Sequence, residues 1–187
     1  MKQRPNSNEN NTKQNFIRDF SSYIYEEKIA NSYLEIVFLC IGTDRLIGDC
    51  FGPLVGTKLE ELLQKYNIFN INIYGTMEEN ICYTNIEKKL KKIKAEHPTA
   101  CIVAIDAALS DEINIGKIYV NRKKMTLANG LYKPKIEVGD ISVKAVVGKN
   151  YKLSKYNFLS LQNISLNEVM NLAKIVAEGI YEVIKYA

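Results

Sequence analysis

Cysteine is scarce in this chain of 187 residues and never clustered: Cys40, Cys50, Cys82 and Cys101 stand singly, two of them inside apolar runs. That spacing excludes the close pairs of zinc sites and the dense frameworks of small secreted domains, and reads as a protein of a reducing, cytoplasmic compartment. No segment approaches the roughly eighteen apolar residues of a membrane span. The start, MKQRPNSNENNTKQN, lacks the apolar centre of a signal peptide. Excess charge is small, 25 Lys and Arg against 21 Asp and Glu. With no arginine-rich stripe or aromatic platform beside it, direct nucleic-acid binding is not expected. The expected organisation is a flexible polar tail over residues 1–15 and a single α/β domain over residues 16–187. A domain of that size buries about two thirds of its unfolded surface without a metal or disulfide staple.

What is present is an alternation of strand-like and helix-like segments. LEIVFLCI (Leu34 to Ile41) is a continuous apolar run, as in a strand covered on both faces. Pro53 then sits where a first helical turn tolerates it, and Leu54, Val55, Leu59, Leu62 and Leu63 recur at helical spacing. INIYG (Ile71 to Gly75) reads as a second strand, and Ile86, Leu90 and Ile93 as the stripe of a helix from about Asn85 to Lys94. The five lysines of that helix lie opposite its stripe and read as a solvated face. CIVAIDA (Cys101 to Ala107) is a third strand ending in an acid, and further strands are expected at Gly116 to Val120 and Asp140 to Val147. A long helix closes the chain. It opens at a capping box, Ser165 to Glu168, and its expected core face is Leu166, Val169, Met170, Ala173, Val176, Ala177, Ile180, Val183 and Ile184.

Strands alternating with helices imply a parallel sheet with right-handed crossovers. In the common doubly wound order the second strand lies outside the first and the third lies on its other side. A crevice then opens where the chain reverses, rimmed by the loops after strands one and three. The loop after strand one, GTDRLIGDCFG (Gly42 to Gly52), carries Gly42, Gly48 and Gly52 for tight turning and two acids, Asp44 and Asp49. Topology places one of these acids near Asp106. Facing carboxylates repel, share a proton, and can activate water on one side while donating a proton on the other; they can also hold a divalent ion. Against this stands a structural role, with Asp49 capping the next helix and Asp106 a turn. The residues alone leave the two balanced. The glycines match neither a dinucleotide fingerprint nor a phosphate loop. A Cys50 nucleophile with His97 as base is disfavoured, because His97 precedes strand three and so lies at the opposite end of the sheet.

The segments FLCIGTDRLIGDCFGPLVGTKL, IYGT, VAIDAALS, VGDIS and LQNISLNEVMNLAKIVAEGI resemble the YyaC family of sporulation proteins, over about residues 35 to 182. That family is similar in fold to the germination protease and, more distantly, to hydrogenase maturation proteases. The resemblance implies an α/β three-layer sandwich with a mainly parallel twisted sheet, of the phosphorylase/hydrolase-like type. It places the germination protease's two essential aspartates on Asp49, in GDCFGP, and Asp106, in AIDA, with Asp44, Gly42, Gly48 and Gly52 in support. It implies an endopeptidase of the sporulating cell or spore core, acting without a cofactor or resident metal. The implied partner is a protein or peptide substrate such as the small acid-soluble spore proteins. The alternative is a noncatalytic sporulation factor that binds a peptide or protein in the same crevice. Two departures stand out. The histidine that hydrogenase maturation proteases use beside nickel has no counterpart, and Asn80-Ile81-Cys82 stands where the family pattern reads Pro-Val-His.

Overall fold

The computed structural model describes residues 7–31, 33, 35–68, 71–127 and 134–185. In chain order the elements are α1 (Ser7–Asn31), β1 (Glu35–Cys40), α2 (Phe51–Lys65), β2 (Asn72–Tyr74), α3 (Ile86–Glu96), β3 (Ala100–Ser110), β4 (Ile118–Asn121), β5 (Met125–Leu127), β6 (Ile136–Val138), β7 (Ile141–Lys149), α4 (Ser154–Gln162) and α5 (Leu166–Ile184). The main sheet has the order β2-β1-β3-β7-β4. Its first four strands are parallel, and β4 runs antiparallel to β7 at the edge. The order expected around the first three strands is therefore the one formed.

Strand periodicity explains the three layers. Along β1, Ile36, Phe38 and Cys40 enter one core, while Val37 and Leu39 enter the other. In β3, Cys101, Val103 and Ile105 likewise oppose Ile102 and Ala104. The first face is covered by α1, α2 and α5. The second is covered by α3, through Ile86 and Ile93, and by the two-stranded antiparallel hairpin β5–β6, through Met125, Leu127 and Val138. Both faces of β1, and of β3 as far as Ile105, are covered, as their unbroken apolar runs require.

Two expectations are corrected. The chain is already helical at Ser7, so residues 7–15 belong to α1 and not to a flexible tail; residues 1–6 lie outside the described residues. Phe16, Phe20 and Ile24, one helical turn apart, are buried. Phe16 stacks on Phe20 at 5.4 Å between ring centroids, and Phe20 meets Phe38 of β1 at 6.3 Å. Farther along, Glu27 is buried and paired with Arg122, just past β4. At α5, Ser165 occupies the N-cap position, but its side chain makes no cap bond; its carbonyl accepts the amides of Glu168 and Val169. Leu166 and Met170 face solvent, and Leu172 takes a core place instead.

If α1 is integral to the core, Phe20→Ala should lower stability by about 3–5 kcal/mol, the usual cost of truncating a buried phenylalanine. Lys13→Ala, which removes a half-exposed ion pair to Glu178, should cost about 1 kcal/mol or less. Urea denaturation of the two variants measures the contrast. Equal, small losses would mean that α1 does not belong to the cooperative core.

Candidate active site

The loop after β1 is shaped by two close backbone approaches. Gly42 has φ +150°, and a Cβ there would stand 2.0 Å from the carbonyl oxygen of Asp49. A Cβ on Gly52 would stand 2.1 Å from the carbonyl oxygen of Ile41. Only glycine permits either contact. The amide of Thr43 donates to the Asp49 carbonyl at 3.1 Å, so the loop doubles back. A short 3-10 turn, Gly48–Cys50, then runs directly into α2. Asp49 is thereby held at the carboxyl end of the sheet.

Asp106 arrives by a different route. It lies within β3, which continues to Ser110 beyond the expected end, and its aligned neighbour on β7 is Lys144. Both stand out of phase with the core positions that face α1, α2 and α5 (Val103, Ile105, Val143, Ala145), so both project to the opposite face. The β3–β7 pairing shifts register between Ala108 and Leu109, and such irregularities bend a strand locally. Asp49, Asp106 and Lys144 open into one cleft of about 760 Å³, whose walls include Thr43, Cys82 and Phe158.

Burial is the first cause of the electrostatics here. It raises the Asp106 carboxyl to about 7, with the charge of Asp49 pushing in the same direction and the Ala107 amide and Lys144 opposing. Burial also raises Asp49 above the ordinary carboxylate range. Both side chains are half-buried by surface area, since they look into the cleft while protein surrounds them on the other sides. The charge of Asp49 is among the causes that raise Asp106, so the two carboxyls are coupled and Asp106 is the one that holds its proton toward neutral pH. The Ala107 amide donates to Asp106 Oδ1 at 2.8 Å, leaving Oδ2 as the atom for the proton. An ionised carboxylate beside a protonated one is the arrangement that lets one group accept a proton and the other deliver one.

The capping alternative does not describe this loop. Neither the 3-10 turn nor α2 is closed by a side-chain cap bond, and Asp106 sits inside a strand. Asp44 is not part of the pair: it is exposed and accepts a hydrogen bond from Asn80 Nδ2 at 2.9 Å, tying the loop to the connection before α3. Gly48 packs beneath α4, where a Cβ would lie 2.6 Å from Leu161 Cδ2. Cys50 is buried, its thiol donates to the Ile47 carbonyl at 2.8 Å, and burial pushes its pKa up, the reverse of what a thiolate nucleophile needs. His97 lies between Glu35 and Tyr74, each at 2.9 Å, at the far end of the sheet. Among the described residues no group of three or more His, Cys, Asp or Glu side chains could hold a metal ion. Among the described residues the cation lining the cleft is Lys144, which sequence reasoning missed; a lysine inside the apolar run DISVKAVV was the available signal. The α4 wall was also missed.

A family model described as "Protein of unknown function (DUF1256)" matches residues 5–179. The chain belongs to this family. It is 33% identical over 145 residues to "Uncharacterized protein YyaC" of Bacillus subtilis (strain 168), covering 78% of this chain and 67% of that one. Among solved structures it resembles the [NiFe] hydrogenase maturation protease HycI of Thermococcus kodakarensis KOD1, with a TM-score of 0.55 and 21% identity over 86% of this chain and 99% of that one. This DUF1256 protein therefore has the fold of a maturation protease, the α/β class expected from its motifs. Among the described residues no helix is long and apolar enough to cross a membrane.

The raised carboxyl carries a stability signature. In the unfolded chain Asp106 loses its proton near pH 4, and in the folded chain near 7. The native state therefore binds the extra proton between those values, and stability falls as pH rises through them. Asp106→Asn should melt higher than the parent at pH 8, by about 2–4 °C for each kcal/mol relieved. The gain should disappear by about pH 4. Calorimetric scans across that range check this; an equal offset at both ends would contradict it.

Proposed function

We propose that this protein is an endopeptidase that hydrolyses peptide bonds with Asp49 and Asp106, and that it works in the sporulating cell or spore. The observation that carries the reading is the pair itself: two carboxyl groups from sequence-distant elements open into one cleft, and burial together with the charge of Asp49 raises Asp106 to about 7. The protease fold supports it, and the setting rests on the motifs shared with the YyaC family.

In the proposed reaction, water sits between the two carboxyl groups. Ionised Asp49 takes one proton as the water oxygen attacks the scissile carbonyl carbon. The oxyanion that develops lies in the field of the Lys144 ammonium, and a low-dielectric cleft strengthens that attraction. As the carbon–nitrogen bond breaks, Asp106 Oδ2 delivers its proton to the leaving nitrogen. Transfer of the proton from Asp49 to Asp106 then restores the starting state. Each turnover consumes one water and one peptide bond, and no cofactor enters.

Small acid-soluble spore proteins are the first substrates to test, with mass spectrometry of the products. Asp49→Asn and Asp106→Asn should each lower cleavage by about 10²–10⁴-fold, and the double variant should lose little more, because the two act as a unit. Cleavage should also decline as pH rises through about 7, where Asp106 loses its proton. Cys50→Ser should retain activity. If the parent binds these proteins without cutting them, the reading becomes a noncatalytic peptide-binding factor. If cutting survives both asparagine variants, the carboxylate mechanism is wrong.

A further inference from the structure

Helix α4 exposes most of its large apolar side chains. Two of its polar side chains bond back to the protein: Asn157 Nδ2 donates to Asn150 Oδ1 at 2.9 Å, Asn157 Oδ1 accepts the Tyr151 amide at 2.6 Å, and Ser160 Oγ donates to the Lys149 carbonyl at 3.0 Å. Leu161 packs toward the core, and the other large apolar side chains face outward. Tyr156, Phe158 and Leu159 expose 43%, 52% and 46% of their surface, and Tyr151 and Leu153 just before the helix expose 42% and 56%. Scattered exposed apolar residues are ordinary, but this density over one short segment marks a contact surface.

The position of α4 says what the contact is for. On one side, Asn157, Phe158 and Leu161 form a wall of the cleft that holds Asp49 and Asp106. On the other, Tyr156 and Leu159 border a second hollow of about 460 Å³, together with Tyr151, Ile115 and Val147. Beneath, Leu161 and Ile164 rest on Gly48, the residue before Asp49. A chain lying across α4 therefore enters the carboxylate cleft at one side and, at the other, a hollow of mixed lining where Tyr151, Tyr156 and Leu159 stand beside Lys149 and Glu168.

We infer that α4 is the recognition element of this cleft, and that it selects polypeptide segments carrying bulky apolar side chains, one seated against Phe158 beside the carboxylates and another against Tyr151, Tyr156 and Leu159. The inference rests on the endopeptidase reading for the use of the site. Its own content, apolar selection by α4, is measurable without turnover. An occupant that is a polypeptide, and not a second copy of this chain, follows from the continuity of the apolar wall with the acid pair, because a bound segment brings its backbone past Asp49 and Asp106.

The test uses the full chain carrying Asp106→Asn, so that binding is read without cleavage, and two fluorescein-labelled peptides on a Gly-Ser-Ala background. One peptide has Leu and Phe at alternating positions, and its twin has Ser in their place. Fluorescence anisotropy should show the apolar peptide binding at least about tenfold more tightly. Phe158→Ser should abolish that preference and Phe158→Leu should keep most of it. Equal affinities, no binding of either peptide, or a preference untouched by both Phe158→Ser and Leu159→Ser would overturn the inference. So would a dimer by light scattering that these serine variants dissociate, since a second copy would then own the surface. The parent protein with the same peptides separates the two readings. Selective binding without cleavage leaves α4 recognition standing and removes the endopeptidase, whereas cleavage indifferent to Phe158→Ser does the reverse.

Discussion

Two contacts between main-chain atoms govern the functional end of the molecule: the Asp49 carbonyl over Gly42 and the Ile41 carbonyl against Gly52. They let the chain leave β1, fold back on itself, and enter α2 without first moving away from the sheet. A methyl group at either position would have to displace backbone, not a flexible side chain. The displaced piece would be the first turn of α2, whose Phe51 and Val55 fill the core. The position of Asp49 relative to β3 is thus a by-product of how tightly α2 can sit on β1. Packing and site geometry cannot be varied independently here.

The same close packing sets the chemistry. Parallel neighbours in register put Lys144 beside Asp106, and the reversal of the chain between β1 and β3 brings Asp49 to the same mouth. Two acids and one base share a partly dry space, so the cluster cannot reach full ionisation cheaply, and the excess negative charge is relieved by keeping a proton. The energy withheld from stability by that arrangement is what makes a proton available at neutral pH. Structural sites with perturbed carboxylates exist as well, and the opening of this pair into a cleft is what favours a functional one.

The sheet was legible because its signals are local and strong. Continuous apolar runs mark β1 and β3, and the glycine-rich loop between β1 and α2 marks the switch point where Asp49 meets Asp106. Helix α1 was not legible. Among its described residues the buried apolar ones are Phe16, Phe20 and Ile24, in a setting rich in Asn, Lys and Glu, and much of what buries them is contributed by α5, far away in sequence. Lys144 escaped notice because one polar residue in an apolar run is ordinary until its strand neighbour is known. Helix α4, SKYNFLSLQ, turns Leu161 to the core while Tyr156, Phe158 and Leu159 stay exposed, so periodicity had no stripe to find. In each case the missing information was a partner supplied by tertiary structure.

The N- and C-terminal helices are also partners, and this bears on how the chain is made. Lys13 pairs with Glu178 across a separation of 165 residues, and Phe16 fills the space left open at Gly179. Helix α5 is synthesised well over a hundred residues after α1. The aromatic stripe of the nascent helix must stay exposed, or be sheltered by a chaperone, until α5 has been made. Docking of α1 is then slowed by the long stretch of chain that α1 and α5 must close.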